Sequence, residues 1–295
     1  MELQPEIEPR KKPPWLKVRF PSDKTFFSVS YLLRERNLNT ICQSAKCPNR
    51  AECWSHSTAT FLILGNICTR NCGFCAVEKG NPSSLNGEES RQIAEAIILL
   101  GLKYAVITSV TRDDLEDGGA GLFVKTIEEI RLQSPKTLVE VLIPDFSGSL
   151  PALQKVIDAA PDILNHNLET PETLYPSINR PVENYARSLH LLHRSSEQGL
   201  GTKSGLMVGL GEKMEDILQT FSDLITAGVE LLTIGQYLQP TKQHLAVQKY
   251  YSPLEFNRLK QIALDFGFRK VASGPLVRSS YQAQDLYRAF SDNRI

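Results

Sequence analysis

Residues Thr60–Cys75 read TFLILGNICTRNCGFC: a strand-like apolar run leading directly into three cysteines with C-x3-C-x2-C spacing. Parallel α/β proteins place their chemistry at the carboxyl ends of strands, so a ligand-rich loop in this position marks the first βα unit of such a fold. Cys68, Cys72 and Cys75 can hold three irons of a four-iron cluster, which takes four protein ligands when saturated. The fourth iron then keeps an open site. Just upstream, CQSAKCPNRAEC carries Cys42, Cys47 and Cys53 with C-x4-C-x5-C spacing and also lacks a fourth ligand. No cysteine follows Cys75.

Outward from this stretch the chain alternates. Strand patterns cover Ala59–Gly65, Tyr104–Val110, Leu138–Ile143, Ile163–Asn167, Ser204–Val208 and Leu231–Gln236. Helical patterns follow at Glu89–Leu100, Leu122–Leu132, Leu150–Ala159, Val182–Gln198, Met214–Ala227 and Pro253–Phe266, several ending at glycines that suit a left-handed cap, such as Gly101 and Gly267. Alternating β and α elements imply a parallel sheet with helices outside. Six units predict an α/β fold, a partial (βα)6 TIM-type barrel, spanning 58–267. An N-terminal extension, 1–57, holds a short helix at Ser28–Asn37 and the first cysteine triplet. The C-terminal segment, 268–295, completes the chain. TRDD, NLET, GLGE and QYLQP all fall at the carboxyl ends of strands, as the barrel reading requires.

Composition narrows the function. Hydrophobic residues make up 41% of the chain, enough for a sizeable core, and 33 Lys and Arg balance 33 Asp and Glu. A neutral chain has no global attraction to nucleic acid. No apolar run is long enough to span a bilayer, and the N-terminus has neither signal- nor transit-peptide character, which predicts a cytoplasmic protein. Structural disulfides are rare in that reducing compartment. Structural zinc sites usually show paired ligands, four to a site, so two triplets fit two iron–sulfur clusters better.

Several motifs beyond the triplets carry a family resemblance: KKPPWLKVRFP (Lys11–Pro21), TICQSAKCPNRAECW (Thr40–Trp54), TRNCGFCAV (Thr69–Val77), TSVTRDDLEDGGA (Thr108–Ala120), NHNLET (Asn165–Thr170), SGLMVGLGE (Ser204–Glu212) and GPLVRSSY (Gly274–Tyr281). Together they resemble the lipoyl synthase family of the radical S-adenosylmethionine (SAM) superfamily. The C-x3-C-x2-C loop is the superfamily's signature. The RSSY ending distinguishes this family from other sulfur-inserting radical SAM enzymes, such as biotin synthases and methylthiotransferases. An iron–sulfur electron carrier would need neither six βα units nor GLGE.

The resemblance implies two [4Fe-4S] clusters. One, on Cys68, Cys72 and Cys75, binds SAM. The other is auxiliary, on Cys42, Cys47 and Cys53, and is completed by a serine of RSSY, assigned to Ser279 with Ser280 the less favoured neighbour. Alone, RSSYQAQDLY reads as a helix N-terminus. The implied reaction is sulfur insertion at C6 and C8 of an octanoyl-lysine on a lipoyl carrier protein, with auxiliary-cluster sulfide as donor and two SAM consumed per lipoyl. An unactivated C–H bond offers a general base no acidic proton, which is why a radical cofactor is required. The implied partners are octanoylated carriers (the H protein and lipoyl domains of 2-oxo acid dehydrogenases) and an electron donor such as ferredoxin or flavodoxin.

Expected SAM contacts are Phe74, Thr108, Gly209, Glu212, Arg180, and Asn165, Asn167 and Glu169, which at strand spacing share one face. His166, on the opposite face, reads as structural. Arg112, Asp113, Asp114 and Arg187 read as ligand contacts or as ordinary loop ion pairs. The basic residues Lys11, Lys12, Lys17 and Arg19 around Trp15 suggest a docking face for an acidic carrier.

Overall fold

The computed structural model describes residues 12–18 and 23–291. Lys11 and Arg19 lie outside the described residues. Among those described, ten strands form two sheets. In chain order they are β1 (Asn39–Thr40), β2 (Thr60–Ile63), β3 (Ile67–Cys68), β4 (Glu78–Lys79), β5 (Tyr104–Ser109), β6 (Leu138–Leu142), β7 (Ile163–Asn165), β8 (Gly201–Val208), β9 (Leu231–Gln236) and β10 (Lys270–Gly274). The α-helices are α1 (Lys24–Glu35), α2 (Ile41–Ser44), α3 (Arg50–Ser55), α4 (Glu89–Leu100), α5 (Ala120–Gln133), α6 (Leu150–Asp158), α7 (Glu183–Glu197), α8 (Met214–Thr226), α9 (Pro253–Phe266) and α10 (Ala283–Ser291).

The main sheet runs β1-β2-β5-β6-β7-β8-β9-β10. Every neighbouring pair is parallel except β1–β2. Six βα units, β2–α4 through β9–α9, match the expected count, and β10 adds a further parallel strand. The sheet stays open, with β1 and β10 as its edges.

Local chemistry sets the helix ends. Ser252 and Glu255 form a reciprocal capping box on α9, with Pro253 in its first turn. Ser149 accepts the Ala152 N–H at the start of α6. Gly101 (φ +64°) and Gly267 (φ +110°) end α4 and α9 in the left-handed region expected of them. Helices and sheet then bury one continuous apolar core between them, including Phe61, Phe123, Ile107, Val141 and Phe221.

The interior of the barrel is layered. Tyr104, Ile163 and Leu231 start their strands and pack against Leu286 or Tyr287 of α10. The Tyr287 ring lies 5.5 Å from that of Tyr104. The C-terminal segment therefore runs down the inside of the open sheet, and α10 stoppers its amino-terminal end. Near this level is a buried polar cluster. Lys203 Nζ lies 2.9 and 3.1 Å from the two carboxylate oxygens of Glu140, and both side chains are almost wholly excluded from solvent. Asn165 Nδ2 donates to Glu140 Oε1 (2.8 Å) and the Tyr104 hydroxyl to Oε2 (2.7 Å). Burying a charge is costly unless it is paired and hydrogen-bonded, and here all four groups converge. No helix among the described residues is long and apolar enough to cross a membrane.

Candidate functional site

Both cysteine triplets open into one cavity of about 840 Å³ at the carboxyl ends of the strands. The second triplet sits on the loop after β2, braced on several sides. Arg70, between Cys68 and Cys72, binds Asp113 in two hydrogen bonds of 2.8 Å and contacts Asp145 at 2.6 Å. Thr69 donates to the Thr111 carbonyl and Asn179 to that of Asn71, while the Gly73 N–H donates to Ile178 O. The loops after β2, β5 and β6 thus meet at Arg70, and TRDD serves as a brace. Burial alone would raise the pKa of Asp145, but the Arg70 hydrogen bond and charge outweigh it and hold the carboxyl at about 2. Arg112 is buried, clamped on Asp114 and the Leu64 carbonyl, and Arg187 pairs with Asp145 at 3.3 Å. Arg112, Asp113 and Asp114 thus bind within the loops, and Arg187 ties α7 to Asp145.

The first triplet hangs from β1 at one edge of the sheet. Cys42 lies in α2, Cys47 in the following turn and Cys53 in α3, where Arg50 covers the Trp54 ring. The C-terminal segment, arriving from β10 at the opposite edge, packs on this loop. Asn49 Nδ2 donates to the Leu276 carbonyl (2.6 Å), Tyr281 OH donates to Glu52 (2.9 Å), and the Arg278 guanidinium faces Cys47. A serine roughly 230 residues from the triplet is thereby brought beside it.

The two serines point to different neighbours. Ser279 Oγ is held by the Asn167 amide, 2.7 Å from Nδ2 and 2.9 Å from Oδ1. Ser280 Oγ accepts from Thr60 Oγ1 at 2.9 Å, and, against the larger effect of burial, the Thr60 backbone pulls the Cys42 thiol pKa down. Ser280 is therefore tied to a residue that neighbours a first-triplet thiol.

Burial pushes the Cys42 and Cys47 thiols up, and it raises Cys53 to about 12 and Cys75 to about 11. A bound cation reverses that logic by stabilising the thiolates. The residues fit iron–sulfur clusters. Each triplet offers three soft donors to one cavity. Among the described residues no three His, Cys, Asp or Glu side chains converge on a point that would hold a single ion, whereas cluster ligands surround a larger body.

On the cavity wall, the Arg180 guanidinium lies 5.6 Å from the Phe74 ring centre and 5.9 Å from that of Tyr175, with Nε 3.5 Å from Cys72 Sγ. Asn167 Nδ2 donates to Glu169 Oε1 at 3.2 Å. Burial raises the pKa of Glu169 against the opposing pull of Arg180. Phe74, Thr108, Asn167, Glu169 and Arg180 all line the cavity. Three expected contacts are placed differently. β7 ends at Asn165, whose amide is held by Glu140 in the polar cluster and does not line the cavity. Glu212 folds back to accept the N–H groups of Gly209 (2.6 Å) and Leu210 (2.9 Å), closing the GLGE turn. Gly209 (φ +106°) sits so close to the Lys249 carbonyl that a Cβ would fall 2.5 Å from it. Its need for glycine is met by protein packing. His166, expected on the opposite face, is buried and bonded to Ile143 O and Ser188, yet it also lines the cavity. Burial holds its pKa near 4. Sequence reasoning missed Asn49, Arg70, Gly235 and the Glu140–Lys203 pair. Only Arg70, a cation between cluster cysteines, carried a signal.

A profile of the radical SAM superfamily matches residues 62–224. Among solved structures, methylornithine synthase superposes with a TM-score of 0.53 at 14% identity, covering 88% of this chain and 81% of that one. Streptococcus suis SuiB bound to S-adenosylmethionine gives 0.54 at 14% identity, covering 74% of this chain and 50% of that one. The open barrel and its three-cysteine loop are those of a radical SAM enzyme. Among curated relatives, a lipoyl synthase of Symbiobacterium thermophilum is 52% identical, covering 93% of this chain and 86% of its own. A lipoyl synthase of Bacillus subtilis is 48% identical, covering 96% of both. The chain belongs to the lipoyl synthase family, whose members are radical SAM sulfurtransferases.

Proposed function

We propose that the chain inserts two sulfur atoms, at C6 and C8, into an octanoyl chain amide-linked to a carrier-protein lysine, on the H protein or a lipoyl domain of a 2-oxo acid dehydrogenase. The observation that carries this reading is the opening of both cysteine triplets into one cavity. When bound, a SAM-binding cluster supplies the radical that takes hydrogen from an unactivated carbon, and an auxiliary cluster supplies the sulfur, with two SAM used per lipoyl.

The chain's own residues define what this requires. Cys68, Cys72 and Cys75 hold the SAM-side cluster and leave one iron open. Arg180, Glu169 and Asn167 give the polar wall for the charged amino-acid end of SAM, with Phe74 beside it. Val106, Leu142 and Met207 give an apolar wall for the acyl chain, and all three line the cavity. Cys42, Cys47 and Cys53 hold the auxiliary cluster. The fourth ligand comes from the Ser279–Ser280 pair. The hydrogen bond from Thr60, whose backbone neighbours Cys42, favours Ser280, and the Asn167 fork gives Ser279 a supporting role. A hydroxylate oxygen is a harder ligand than thiolate, which suits a cluster whose sulfides are consumed. The reaction fits a reducing cytoplasm with a one-electron protein donor such as ferredoxin or flavodoxin.

The test is anaerobic turnover of an octanoylated carrier with SAM by wild type, Ser279→Ala and Ser280→Ala. Wild type should form lipoyl groups. Ser280→Ala should still release deoxyadenosine but form no lipoyl group, and Ser279→Ala should retain lipoyl formation at a lower rate. Loss of lipoyl formation in Ser279→Ala alone would return the ligand role to Ser279. No lipoyl product from fully loaded wild type would refute the reaction.

A further inference from the structure

We infer that Gly235 is a positioning residue for the serine ligand: it forms, with Gly274, a notch in the barrel mouth into which the C-terminal segment is seated. This rests on the reading that a serine of that segment completes the auxiliary site.

Gly235 and Gly274 face each other as register partners on adjacent parallel strands, β9 and β10, near their carboxyl ends. Gly235 lines the cavity and has no side chain to project into it. The space a Cβ would take is already filled by backbone. An ideal Cβ on Gly235 would lie 2.1 Å from the Val277 carbonyl oxygen and 3.1 Å from its carbon, with Arg278 Nη1 at 3.3 Å. Backbone cannot rotate clear as the tip of a flexible side chain can, so any residue larger than glycine must displace the segment. Gly274 is the milder half of the notch, since its Cβ would meet only a side-chain methyl of Val277, at 3.3 Å.

Val277 is fixed from the other side too. Its N–H donates to Gly274 O, and the preceding carbonyl, Leu276 O, takes the Asn49 amide of the first-triplet loop. Three residues on, Ser280 meets Thr60. The segment is thus wedged between β9 and the first-triplet loop. Moving Val277 away from Gly235 moves Arg278, Ser279 and Ser280 with it. The second triplet is held by other contacts, through Arg70, Ile178 and Asn179. A methyl group at 235 therefore disturbs one cluster site and spares the other, which a general packing defect would not do.

The experiment uses full-length protein reconstituted anaerobically, with three readouts: iron per chain, deoxyadenosine release from SAM, and trypsin cleavage after Arg278. Gly235→Ala should lose about half its iron, keep the spectroscopic signature and SAM cleavage of the second-triplet cluster, and become cleavable at Arg278. Gly274→Ala should remain protected and fully loaded. Ser280→Ala separates the two ideas: it should lose the auxiliary cluster while Arg278 stays protected. If Ser280→Ala and Ser279→Ala both keep full iron, the serine-ligand reading fails, yet the seat is still judged by cleavage in Gly235→Ala. If Gly235→Ala keeps Arg278 protected and its iron complete, the inference is overturned. Should Gly235→Ala not fold, Gly235→Ala/Val277→Gly gives the carbonyl freedom to swing clear. Recovery of a folded barrel would support the notch, and no recovery would overturn it.

Discussion

Lys203→Met removes one charge from a fully buried pair and leaves the Glu140 carboxylate with only the Tyr104 hydroxyl and Asn165 amide. Stranding one member of a buried ion pair costs about 3–5 kcal/mol. At roughly 2–4 °C per kcal/mol for chains of this order, the melting temperature should fall by about 10 °C. Glu140→Met should cost more, because it strands Lys203 and also orphans the tyrosine and asparagine donors, at about 1–3 kcal/mol each. Lys203→Met/Glu140→Met strands no charge and should cost at least ~2 kcal/mol less than the sum of the single changes. The assay is thermal melting followed by far-UV circular dichroism on equally iron-loaded proteins, with SAM cleavage measured well below the transition. SAM cleavage should persist there, since neither side chain lines the cavity. A loss under ~1 kcal/mol for Lys203→Met, or strict additivity in the cycle, would refute the reasoning that this pair is charge-balanced in a dry interior.

Changing Cys68, Cys72 and Cys75 to Ala should abolish SAM cleavage and leave about half the iron. The same change at Cys42, Cys47 and Cys53 should preserve cleavage and abolish sulfur insertion, and either variant losing all its iron while folded would deny two separate sites. Lys12 lines the cavity mouth, and Trp15 donates to the Tyr251 carbonyl at 3.2 Å, seating that basic segment on the barrel. Lys12→Gln/Lys17→Gln should weaken carrier binding and flatten its salt dependence, read as Kd by titration at several ionic strengths. Asp145, held at about 2 by Arg70 against burial, contributes stability that is full above its unfolded pKa near 4 and is lost as pH falls toward 2. Melting temperatures between pH 5 and 3 should therefore drop less steeply in Arg70→Met than in wild type; equal slopes would mean the pair carries no such linkage.

Periodicity made most of the scaffold legible. The limits of β9, α4 and α9 coincide with the sequence pattern because each is a sustained apolar or amphipathic run with clear end signals. β10 escaped because KVASG is short, opens with lysine and carries small residues, and it pairs only because β9 offers an edge. β7 was read two residues too long: the chain leaves regular pairing after Asn165 and rejoins β8 only at the Glu169–Leu206 bridge, with Glu169 at φ +73°. That departure separates Asn165 from Asn167 and Glu169, which a regular strand would have kept on one face. At the site, spacing alone singled out the six cysteines, and the structure opens both triplets into one cavity. The different partners of Ser279 and Ser280 were not legible, since they depend on which way two adjacent hydroxyls turn in a segment held by Gly235, Asn49 and Thr60. Likewise, nothing in the local sequence tells a glycine that accommodates a cofactor from one that accommodates a passing carbonyl, as Gly209 and Gly235 do.

The first triplet follows the strand at one edge of the open sheet, and the Ser279–Ser280 pair follows the strand at the other. With the proposed ligand set, a cluster bridging them would be a staple across the seam, closing a loop of roughly 230 residues. By the chain-entropy relation for covalent cross-links, such a closure is worth about 5 kcal/mol, a large share of a typical domain's stability. Under the proposed reaction, an enzyme that surrendered the sulfides of that cluster to its product would also cut its own staple. Each round of sulfur donation would then leave a looser barrel, and the age of a molecule, counted in turnovers, would be written in its resistance to unfolding.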